Sequence, residues 1–183
     1  MNTRVEIILG CMFSGKSTEL IRRCNRYSAI GKNIIMINHT LDTRTDDNIQ
    51  THDGAKKVAI KITKLMDFIE NKNYRNMLYD SSVIGIDESQ FFDDLVEFVI
   101  AVERLSKIVI IAGLDGDSDR KPFGQILQCI PLCDTVVKLT ALDMIKKDGT
   151  AAIFSKRIKK GAGQVLIGDQ DSYIAVSRDN YLS

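Results

Sequence analysis

The sequence has few of the residues from which disulfide frameworks and zinc sites are built. Its four cysteines, Cys11, Cys24, Cys129 and Cys133, form no C-x-x-C pair, and only two histidines are present. These numbers and spacings argue against a disulfide framework and against a cysteine-ligated zinc site. Because free thiols persist in reducing compartments, we expect a cytoplasmic protein.

The chain also lacks long apolar runs and a strong charge of either sign. No apolar stretch approaches the length that spans a membrane, and Met1 to Arg4 lead directly into a predicted strand, so we expect neither a membrane segment nor a signal peptide. The net charge of +1 gives no reason to expect nucleic acid or an anionic membrane as a partner. With 183 residues, of which 44% are hydrophobic and 27% charged, the composition is that of an ordinary globular protein.

What the sequence does contain, near its start, is a phosphate-binding loop. Residues 10–17 read G-C-M-F-S-G-K-S, which matches the pattern G-x-x-x-x-G-K-S. Gly10 and Gly15 allow the tight turn that points successive backbone N–H groups at phosphate oxygens. Lys16 brings a positive charge to the β- and γ-phosphates, and Ser17 offers a hydroxyl to Mg²⁺. An apolar run before the loop predicts a strand and the residues after it predict a helix, which is the context that this motif requires.

A second motif lies at the end of another apolar run. Residues 82–88 read S-V-I-G-I-D-E, so a predicted buried strand ends in two adjacent carboxylates. In an open parallel sheet, ligands bind at the carboxyl ends of the strands, so Asp87 is expected beside the phosphate loop, where it would hold Mg²⁺ directly or through water. Glu88 follows, and because side chains alternate along a strand, the two acids need not share one role.

Apolar runs alternate with helical patterns as far as residue 140. This alternation predicts an α/β domain with a doubly wound, mainly parallel sheet. Together with the phosphate-binding loop, it leads us to expect the P-loop (RecA-like) fold class. The predicted strands are Val5–Leu9, Asn33–Asn38, Ser82–Ile86, Lys107–Ala112 and Thr135–Leu139, with an exposed strand at Lys56–Ile62. The predicted helices span 16–30, 63–70 (capped by Thr63), 91–105 and 120–129. The polar stretch from His39 to Gly54 is expected to be a loop that can close over a ligand.

From about residue 141 the pattern changes. We therefore expect a nucleotide-binding domain, 1–140, and a small C-terminal subdomain, 141–183, that covers a small molecule. Lys146–Gly149 predicts the turn of a hairpin, and Val165–Gly168 and Tyr173–Val176 are short apolar runs. The tail is too short to fold alone, so it is expected to pack against the main domain.

Taken together, the motifs resemble those of the type II thymidine kinases, the short class found in animal cells, many bacteria and poxviruses, whose poxvirus members are the most similar in length. The resemblance runs from about Val5 to Tyr181. Its stretches are G-C-M-F-S-G-K-S-T-E-L (10–20), D-T-R (42–44), T-H-D (51–53), I-G-I-D-E-S-Q-F-F (84–92), R-K-P-F (120–123), K-L-T-A (138–141), F-S-K-R (154–157) and I-G (167–168). It implies ATP-dependent phosphorylation of thymidine, and of deoxyuridine, at the 5′-hydroxyl, giving dTMP and ADP in nucleotide salvage. It further implies that Mg²⁺ binds with ATP, that dTTP is a feedback inhibitor and that the protein forms a homotetramer. For a viral member, it implies a location in the host cytoplasm.

The resemblance also implies roles for individual residues. Glu88 falls on the family's catalytic base, which takes the proton of the 5′-hydroxyl, and Arg44 on a residue that offsets charge on the transferred phosphoryl group. The implied ATP-binding residues are Gly10, Cys11, Met12, Phe13, Ser14, Gly15, Lys16, Ser17, Thr18, Asp42, Asp87 and Gln90. The implied nucleoside-binding residues are Met12, Phe91, Leu114, Ser118, Phe123, Ser155, Gln164, Val165, Leu166, Ile167, Gly168 and Tyr173. Residues 164–168 match a flexible strand, the lasso, whose backbone binds the base, and Tyr173 falls on a tyrosine that reaches the deoxyribose.

Two departures from the family pattern bear on the site. Asp143 and Lys146 stand about where the family's first zinc-binding C-x-x-C pair belongs, and Ser177 and Asn180 replace the second pair. Since lysine is not a zinc ligand near neutral pH, we expect no structural zinc, and packing, hydrogen bonds or an Asp–Lys pair would hold the lasso. Ser118 replaces an aromatic residue of the base pocket, which bears on the preference for thymidine.

Two other functions fit parts of the sequence. A catalytically silent nucleotide-binding or regulatory protein could share the fold, although the presence of Lys16, Ser17, Asp87, Glu88 and Arg44 argues against it. A nucleic-acid-stimulated ATPase also carries Asp-Glu after a strand, although this chain is too short for two such cores and has no basic stripe. Release of ADP that depends on thymidine distinguishes the three hypotheses.

The missing cysteines generate a prediction about metal content. A structural zinc site can supply roughly 10 kcal/mol or more of apparent binding free energy, so its removal would be easy to detect. We expect elemental analysis of the purified protein to find no stoichiometric zinc, and EDTA to leave the melting temperature unchanged. One zinc per chain, or a large drop in melting temperature with EDTA, would reveal ligands that the sequence motifs do not show.

Overall fold

The computed structural model describes residues 3–42, 48–50, 56–159 and 172–183. Its strands, numbered along the chain, are β1 (Arg4–Gly10), β2 (Ile34–His39), β3 (Asn48–Gln50), β4 (Lys56–Val58), β5 (Ile60–Ile62), β6 (Val83–Ile86), β7 (Ile108–Gly113), β8 (Thr135–Leu139), β9 (Ala141–Leu142), β10 (Ala151–Ala152), β11 (Phe154–Arg157) and β12 (Tyr173–Val176). Its α-helices are α1 (Lys16–Ser28), α2 (Asp67–Glu70), α3 (Lys72–Asp80), α4 (Leu95–Glu103) and α5 (Arg178–Leu182). Two 3₁₀-helices span Ser89–Phe91 and Ile126–Leu132.

Six of the strands form one sheet in the order β5-β2-β6-β7-β1-β8, and every pairing within it is parallel. Parallel sheets need cover on both faces, and β6 and β7 are accordingly buried along their whole length. Side chains alternate along β1, so Ile7 packs into the core on one face and Ile8 into the core on the other. Leu20 and Cys24 of α1 belong to the second of these cores, and α4 contributes to the first. The predicted doubly wound α/β fold is confirmed.

Two predicted helices differ from the observed elements. The segment 120–129 is a turn followed by the second 3₁₀-helix, so the predicted helix there is wrong. Arg120 and Gly124 have φ angles of +63° and +60°, which a right-handed helix does not accommodate. The helix predicted from Phe91 to Leu105 begins only at Leu95, because Phe92 is extended and fully buried. The Phe92 side chain is therefore apolar because it packs in the core, and it does not belong to the helix.

The segment from 56 to 62 forms two strands and not the single exposed strand that we predict from its sequence. Ala59 is buried between them, and β5 pairs with β2 at the edge of the main sheet. β4 instead pairs with β3 in an antiparallel ribbon, so part of the stretch predicted as a loop is strand.

The next helix also begins later than its sequence suggests. α2 starts at Asp67, and Thr63 does not cap it. The carboxylate of Asp94, from the region before α4, accepts a hydrogen bond from the backbone N–H of Met66 at 2.8 Å. A residue distant in sequence thus supplies a hydrogen bond that local sequence cannot reveal. α3, whose cap is the Asn71 side chain, has no counterpart among the predicted elements.

The C-terminal residues form two small antiparallel sheets beside the phosphate loop. β9 and β10 are the predicted hairpin, and β11 pairs with β12. Cys11 of the loop packs with Ala141, Ala152 and Ala175 in a small apolar cluster, to which Phe13 adds its ring. The tail therefore packs against the main domain as expected, whereas its division from residues 1–140 as a separate unit stays a prediction.

A buried carboxylate joins the hairpin to the last helix. Asp143 is 2% exposed, and it accepts hydrogen bonds from the backbone N–H groups of Ile145 at 2.8 Å, Lys146 at 2.9 Å and Ser177 at 2.6 Å. The side-chain amide of Asn180 lies within 3.0 Å of both of its oxygens. Burial alone would raise the pKa of Asp143, but the hydrogen bonds from Ser177, Lys146 and Asn180 hold it well below its usual range.

These contacts join the two segments that, by the resemblance, correspond approximately to the zinc-binding cysteine pairs of the type II thymidine kinases. The Lys146 ammonium lies 3.8 Å from Asp179, whose side chain is 84% exposed, so this ion pair contributes little. Hydrogen bonds to Asp143 hold the two segments together. In the described part of the chain, no three His, Cys, Asp or Glu side chains are grouped so as to hold a metal ion, and no helix there is long and apolar enough to cross a membrane.

The Asp143 cluster generates a stability prediction. Asp143→Asn replaces one acceptor oxygen with an NH₂ group, which would face the N–H donors of Ser177 or Asn180. We expect the variant to melt several degrees below the wild type by circular dichroism. Asp148→Asn is the matched control, because Asp148 lies on the same hairpin but is exposed, and its carboxylate accepts a hydrogen bond from the backbone N–H of Thr150 at 2.9 Å. Equal melting temperatures for the two variants would contradict the anchoring role of Asp143.

Candidate active site

The phosphate loop follows β1 and depends on glycine for its shape. Gly10 has a φ of +153°, and a Cβ atom there would lie 2.6 Å from the Ser14 hydroxyl and 2.7 Å from the carbonyl oxygen of Leu139. Gly15 has a φ of +81° and turns the chain into α1. At Gly10 an added Cβ atom would clash, and at Gly15 the left-handed backbone favours glycine, so both glycines of the motif follow from the shape of the backbone.

The carbonyl oxygen of Cys11 organises the polar side chains of the loop. It accepts hydrogen bonds from Lys16 Nζ and from the Ser14 hydroxyl, each at 2.8 Å. Lys16 is therefore held across its own loop and not directed away from it. The Cys11 thiol is buried and donates to the Ala152 carbonyl at 3.4 Å, and burial raises the pKa of this thiol. It remains protonated and serves as a packing residue.

The two adjacent carboxylates lie at the same edge of the sheet as the loop. β7 pairs with both β1 and β6 in parallel, so the ends of these strands come together. Asp87 is 2% exposed, and its Oδ1 accepts a hydrogen bond from the backbone N–H of Glu88 at 3.0 Å. Glu88 has φ and ψ of 49° and 38°, a left-handed conformation that is uncommon outside glycine. The chain therefore turns sharply between the two acids, in agreement with separate roles.

Gln90 connects Glu88 to the end of β7. Its Nε2 donates to Glu88 Oε2 at 2.6 Å, and its Oε1 accepts from the backbone N–H of Leu114 at 3.0 Å. Two glycines make room for it, because a Cβ at Gly113 would lie 2.8 Å from its side-chain oxygen and one at Gly124 would lie 2.1 Å from its backbone oxygen. Both ends of the amide are thus engaged within the protein, and the contact of Gln90 with ATP that the resemblance implies stays a prediction.

Aromatic side chains meet beyond this edge. The rings of Phe91 and Phe123 are 5.6 Å apart and nearly perpendicular, so the structure brings these two predicted nucleoside contacts together. The centre of the His39 ring lies 5.8 Å from that of Phe91 and 4.7 Å from that of Phe92. Sequence reasoning missed His39, although a polar residue at the end of a buried strand is the signal that identified Asp87.

Other predicted site residues lie on the C-terminal strands. The hydroxyl of Ser155 accepts a hydrogen bond from the backbone N–H of Met12 at 3.0 Å, which ties β11 to the phosphate loop. Tyr173 is buried, and its hydroxyl accepts from Arg157 at 3.0 Å. Ser118 lies in the loop between β7 and the second 3₁₀-helix, and its carbonyl accepts from the hydroxyl of Tyr181, a residue that sequence reasoning also missed.

The remaining predicted residues are placed as follows. Ser17 and Thr18 lie in the first turn of α1, where Thr18 is exposed. Asp42 is buried, and its carboxylate accepts from the side-chain amide of Asn38 at 2.8 Å. Arg44 and residues 164–168 lie outside the described residues.

His39 generates a pH prediction. It is 5% exposed, and its Nδ1 accepts from the backbone N–H of Leu41 at 3.0 Å, so the ring is held in its neutral form. Burial lowers the pKa of His39, outweighing the effects of a hydrogen bond to the Thr63 backbone and of the Asp93 and Asp94 charges. Between the folded pKa and the unfolded pKa of about 6.5, the unfolded chain therefore binds more protons than the folded one. The free energy of unfolding thus decreases as the pH is lowered from about 6.5 through the folded pKa.

Urea unfolding at pH 7.5 and pH 5.5 measures this effect. Each unit between the folded and unfolded pKa values corresponds to about 1.4 kcal/mol of stability. We expect His39→Gln, whose side-chain oxygen can still accept from Leu41, to lose less stability over this interval than the wild type. An identical loss in both proteins would show that His39 is not the responsible group.

Comparison with known proteins connects this geometry to a family. A family model described as thymidine kinase matches residues 3–181. The thymidine kinase of vaccinia virus (strain Western Reserve) is 45% identical over 178 residues, covering 97% of this chain and 96% of the relative. The thymidine kinase of raccoon poxvirus is 45% identical over 179 residues, covering 98% and 97%. Among solved structures, a DNA replication initiation factor gives a TM-score of 0.47 at 16% identity, covering 76% of this chain and 40% of that protein, which is too low to bear on function.

The resemblance predicted from the motifs is thereby confirmed. The family match spans nearly the whole described fold, including the phosphate loop, the two carboxylates and the C-terminal strands. On this evidence, the chain belongs to the thymidine kinase family.

Proposed function

We propose that this protein transfers the γ-phosphoryl group of ATP to the 5′-hydroxyl of thymidine, giving dTMP and ADP, and that it also accepts deoxyuridine. The observation that carries the proposal is the thymidine kinase match over residues 3–181. The geometry supports it, because the phosphate loop and the Asp87–Glu88 pair lie at one edge of the sheet, next to an aromatic pair. Ligands bind at this edge in open α/β sheets.

The phosphates of ATP would lie in the loop between β1 and α1. Backbone N–H groups and the positive end of α1 favour an anion there. Lys16 donates to the Cys11 carbonyl, so its ammonium group is held at the loop, where it would bind a phosphate oxygen of ATP. We assign residues 10–18, with Asp42, to this part of the site. Asp42 lies just before Arg44, which we propose offsets charge on the transferred group.

Ser17 and Asp87 suit a magnesium ion. Both offer oxygen, the ligand type that Mg²⁺ prefers, and Asp87 directly follows β6 at the edge of the sheet where ligands bind. When bound with ATP, the ion would neutralise charge on the β- and γ-phosphates. The protein's part is to hold these two oxygens at the edge where the phosphates bind.

Glu88 would act as the general base. Its carboxylate accepts the proton of the 5′-hydroxyl as the oxygen attacks the γ-phosphoryl group. The hydrogen bond from Gln90, itself held by Leu114, restricts the rotation of the carboxylate, so the base is oriented before the substrate arrives. The left-handed backbone of Glu88 gives a structural reason for its separation from the metal-binding position.

The nucleoside would bind next to Phe91 and Phe123, whose rings pack nearly perpendicular to each other and offer apolar surface to a planar base. We propose that Met12, Leu114, Ser118 and Ser155 complete this pocket. Tyr173 would contact the deoxyribose, and residues 164–168 would bind the base edge through their backbone. Serine at position 118 offers less apolar surface than an aromatic residue, which favours a wider range of pyrimidine nucleosides.

Four finer properties are proposed on the family resemblance and the composition. We propose a homotetramer, feedback inhibition by dTTP and a location in the cytoplasm. The net charge of +1 supports the proposal that nucleic acid is not a partner.

A coupled assay for ADP release with thymidine, deoxyuridine and deoxycytidine tests the function. We expect Glu88→Gln to retain ATP binding and to lose about 10²- to 10⁴-fold in kcat, because only the base is removed. Lys16→Ala is expected to weaken ATP binding itself. Glu97→Gln, at an exposed position on α4, is the matched control and should match the wild type.

Each result separates one part of the proposal from the rest. Near-normal turnover of Glu88→Gln would contradict the assignment of the base. Unchanged ATP affinity in Lys16→Ala would contradict the phosphate site. If the wild type released no ADP in the presence of thymidine, the proposed function itself would be wrong.

A further inference from the structure

The loop between β7 and Phe123 is closed on itself. The Asp117 carboxylate accepts from the backbone N–H groups of Asp119 and Lys121, each at 2.9 Å, and the Asp117 N–H donates to the Lys121 carbonyl at 2.9 Å. Gly116 and Pro122 form an antiparallel bridge at its base. Residues 116–122, here named the pocket loop, are therefore held in one conformation by hydrogen bonds within the loop. Because Phe123 follows directly, the position of the pocket loop sets the position of that ring.

The tip of the pocket loop contacts the C-terminal helix. The Tyr181 hydroxyl donates a 2.7 Å hydrogen bond to the carbonyl of Ser118. The guanidinium of Arg120 lies 4.5 Å from the centre of the Tyr181 ring and 5.6 Å from that of Phe154. The Tyr181 and Phe154 rings are themselves 5.1 Å apart. A cation over two adjacent rings is favourable, and here it compensates the left-handed backbone of Arg120, whose φ is +63°.

The helix that supplies Tyr181 is itself fixed from the other side. α5 has only five residues, which is too short for a helix to be stable on its own. The Asn180 side chain donates to Asp143, and the Asn180 carbonyl accepts from Lys156 Nζ at 2.7 Å. A continuous set of contacts therefore leads from the Asp143 cluster through α5 to the pocket loop.

We infer that α5 is a positioning element of the nucleoside pocket: Tyr181 and Arg120 hold the pocket loop, and so hold Phe123 against Phe91. The inference rests on the proposed function, because it takes the Phe91–Phe123 pair as a wall of that pocket. Thymidine carries one methyl group that deoxyuridine lacks. The pocket gains binding free energy from that methyl group only if its wall stays in contact with it. Tyr181 and Arg120 are thus positioning residues for nucleoside selectivity, although neither needs to touch the base.

Tyr181→Phe tests this inference, because it removes the hydroxyl and keeps the ring under Arg120. Losing one hydrogen bond corresponds to about a fivefold change, so we expect the KM for thymidine to rise about fivefold. The ratio of kcat/KM for thymidine to that for deoxyuridine should fall, while kcat and the KM for ATP stay unchanged. Tyr79→Phe is the matched control, since Tyr79 is 58% exposed, and it should melt like the wild type. Tyr181→Phe should melt no more than about 4 °C below the wild type, because it loses one hydrogen bond.

A second pair of variants tests the stacked cation independently of the hydroxyl. Arg120→Gln removes the charge above Tyr181 and is expected to shift the KM and the selectivity ratio in the same direction. Arg178→Gln is its control, because Arg178 lies 5.1 Å from the Phe154 ring and not over Tyr181. We expect a smaller effect from this variant.

The outcomes separate this inference from the proposed function. A wild type that phosphorylates thymidine, with unchanged KM and unchanged selectivity in both Tyr181→Phe and Arg120→Gln, would overturn the positioning role and leave the proposed function intact. A fall in kcat at constant KM would also overturn it, because it would place the effect in the chemical step. An inactive wild type would overturn both.

Discussion

The parallel pairing of β7 with β1 on one side and β6 on the other is the constraint on which the rest of the structure depends. It brings the ends of three strands to one edge, and each end carries a different part of the site. β1 leads into the phosphate loop, β6 into the two carboxylates, and β7 into Leu114, whose N–H holds Gln90. Buried main-chain hydrogen bonds and alternating apolar side chains stabilise this arrangement, so the positions of the polar groups follow from the core.

The parts of this structure that could be predicted from sequence are those with a local cause. The turn at Gly10 and Gly15, the buried strands and the carboxylates after β6 each follow from the type of residue at the position itself. The 3₁₀-helix at Ile126–Leu132 and the start of α2 could not be predicted, because their causes are the backbone of Arg120 and Gly124 and the distant carboxylate of Asp94. The spacing of apolar residues along the sequence predicts neither the backbone conformation of Arg120 and Gly124 nor the hydrogen bond from Met66 to Asp94.

The same distinction applies within the candidate site. The two carboxylates after β6 could be located from the sequence, and the role that we propose for Glu88 comes from the family resemblance. The hydrogen bond from Gln90 to Glu88, by contrast, requires space at Gly113 and Gly124. His39 and Tyr181 likewise act through neighbours that only the fold supplies. The residues proposed to contact the substrate are thus easier to recognise in the local sequence than the residues that position them.

The Asp143 cluster has a consequence for the chemical conditions that the protein tolerates. Where zinc holds two cysteine pairs together, the joint is made of thiolates, which oxidants attack and competing metals can capture. Here it is made of one carboxylate, two backbone N–H groups of its own turn, and donors from Ser177 and Asn180. The strength of this link depends on whether the Asp143 carboxylate is ionised. Because the pKa of Asp143 is lowered, the carboxylate stays ionised throughout the physiological pH range. None of the groups that the structure describes in this link is a thiol, so we expect the link between hairpin and helix to be insensitive to the oxidation of cysteine.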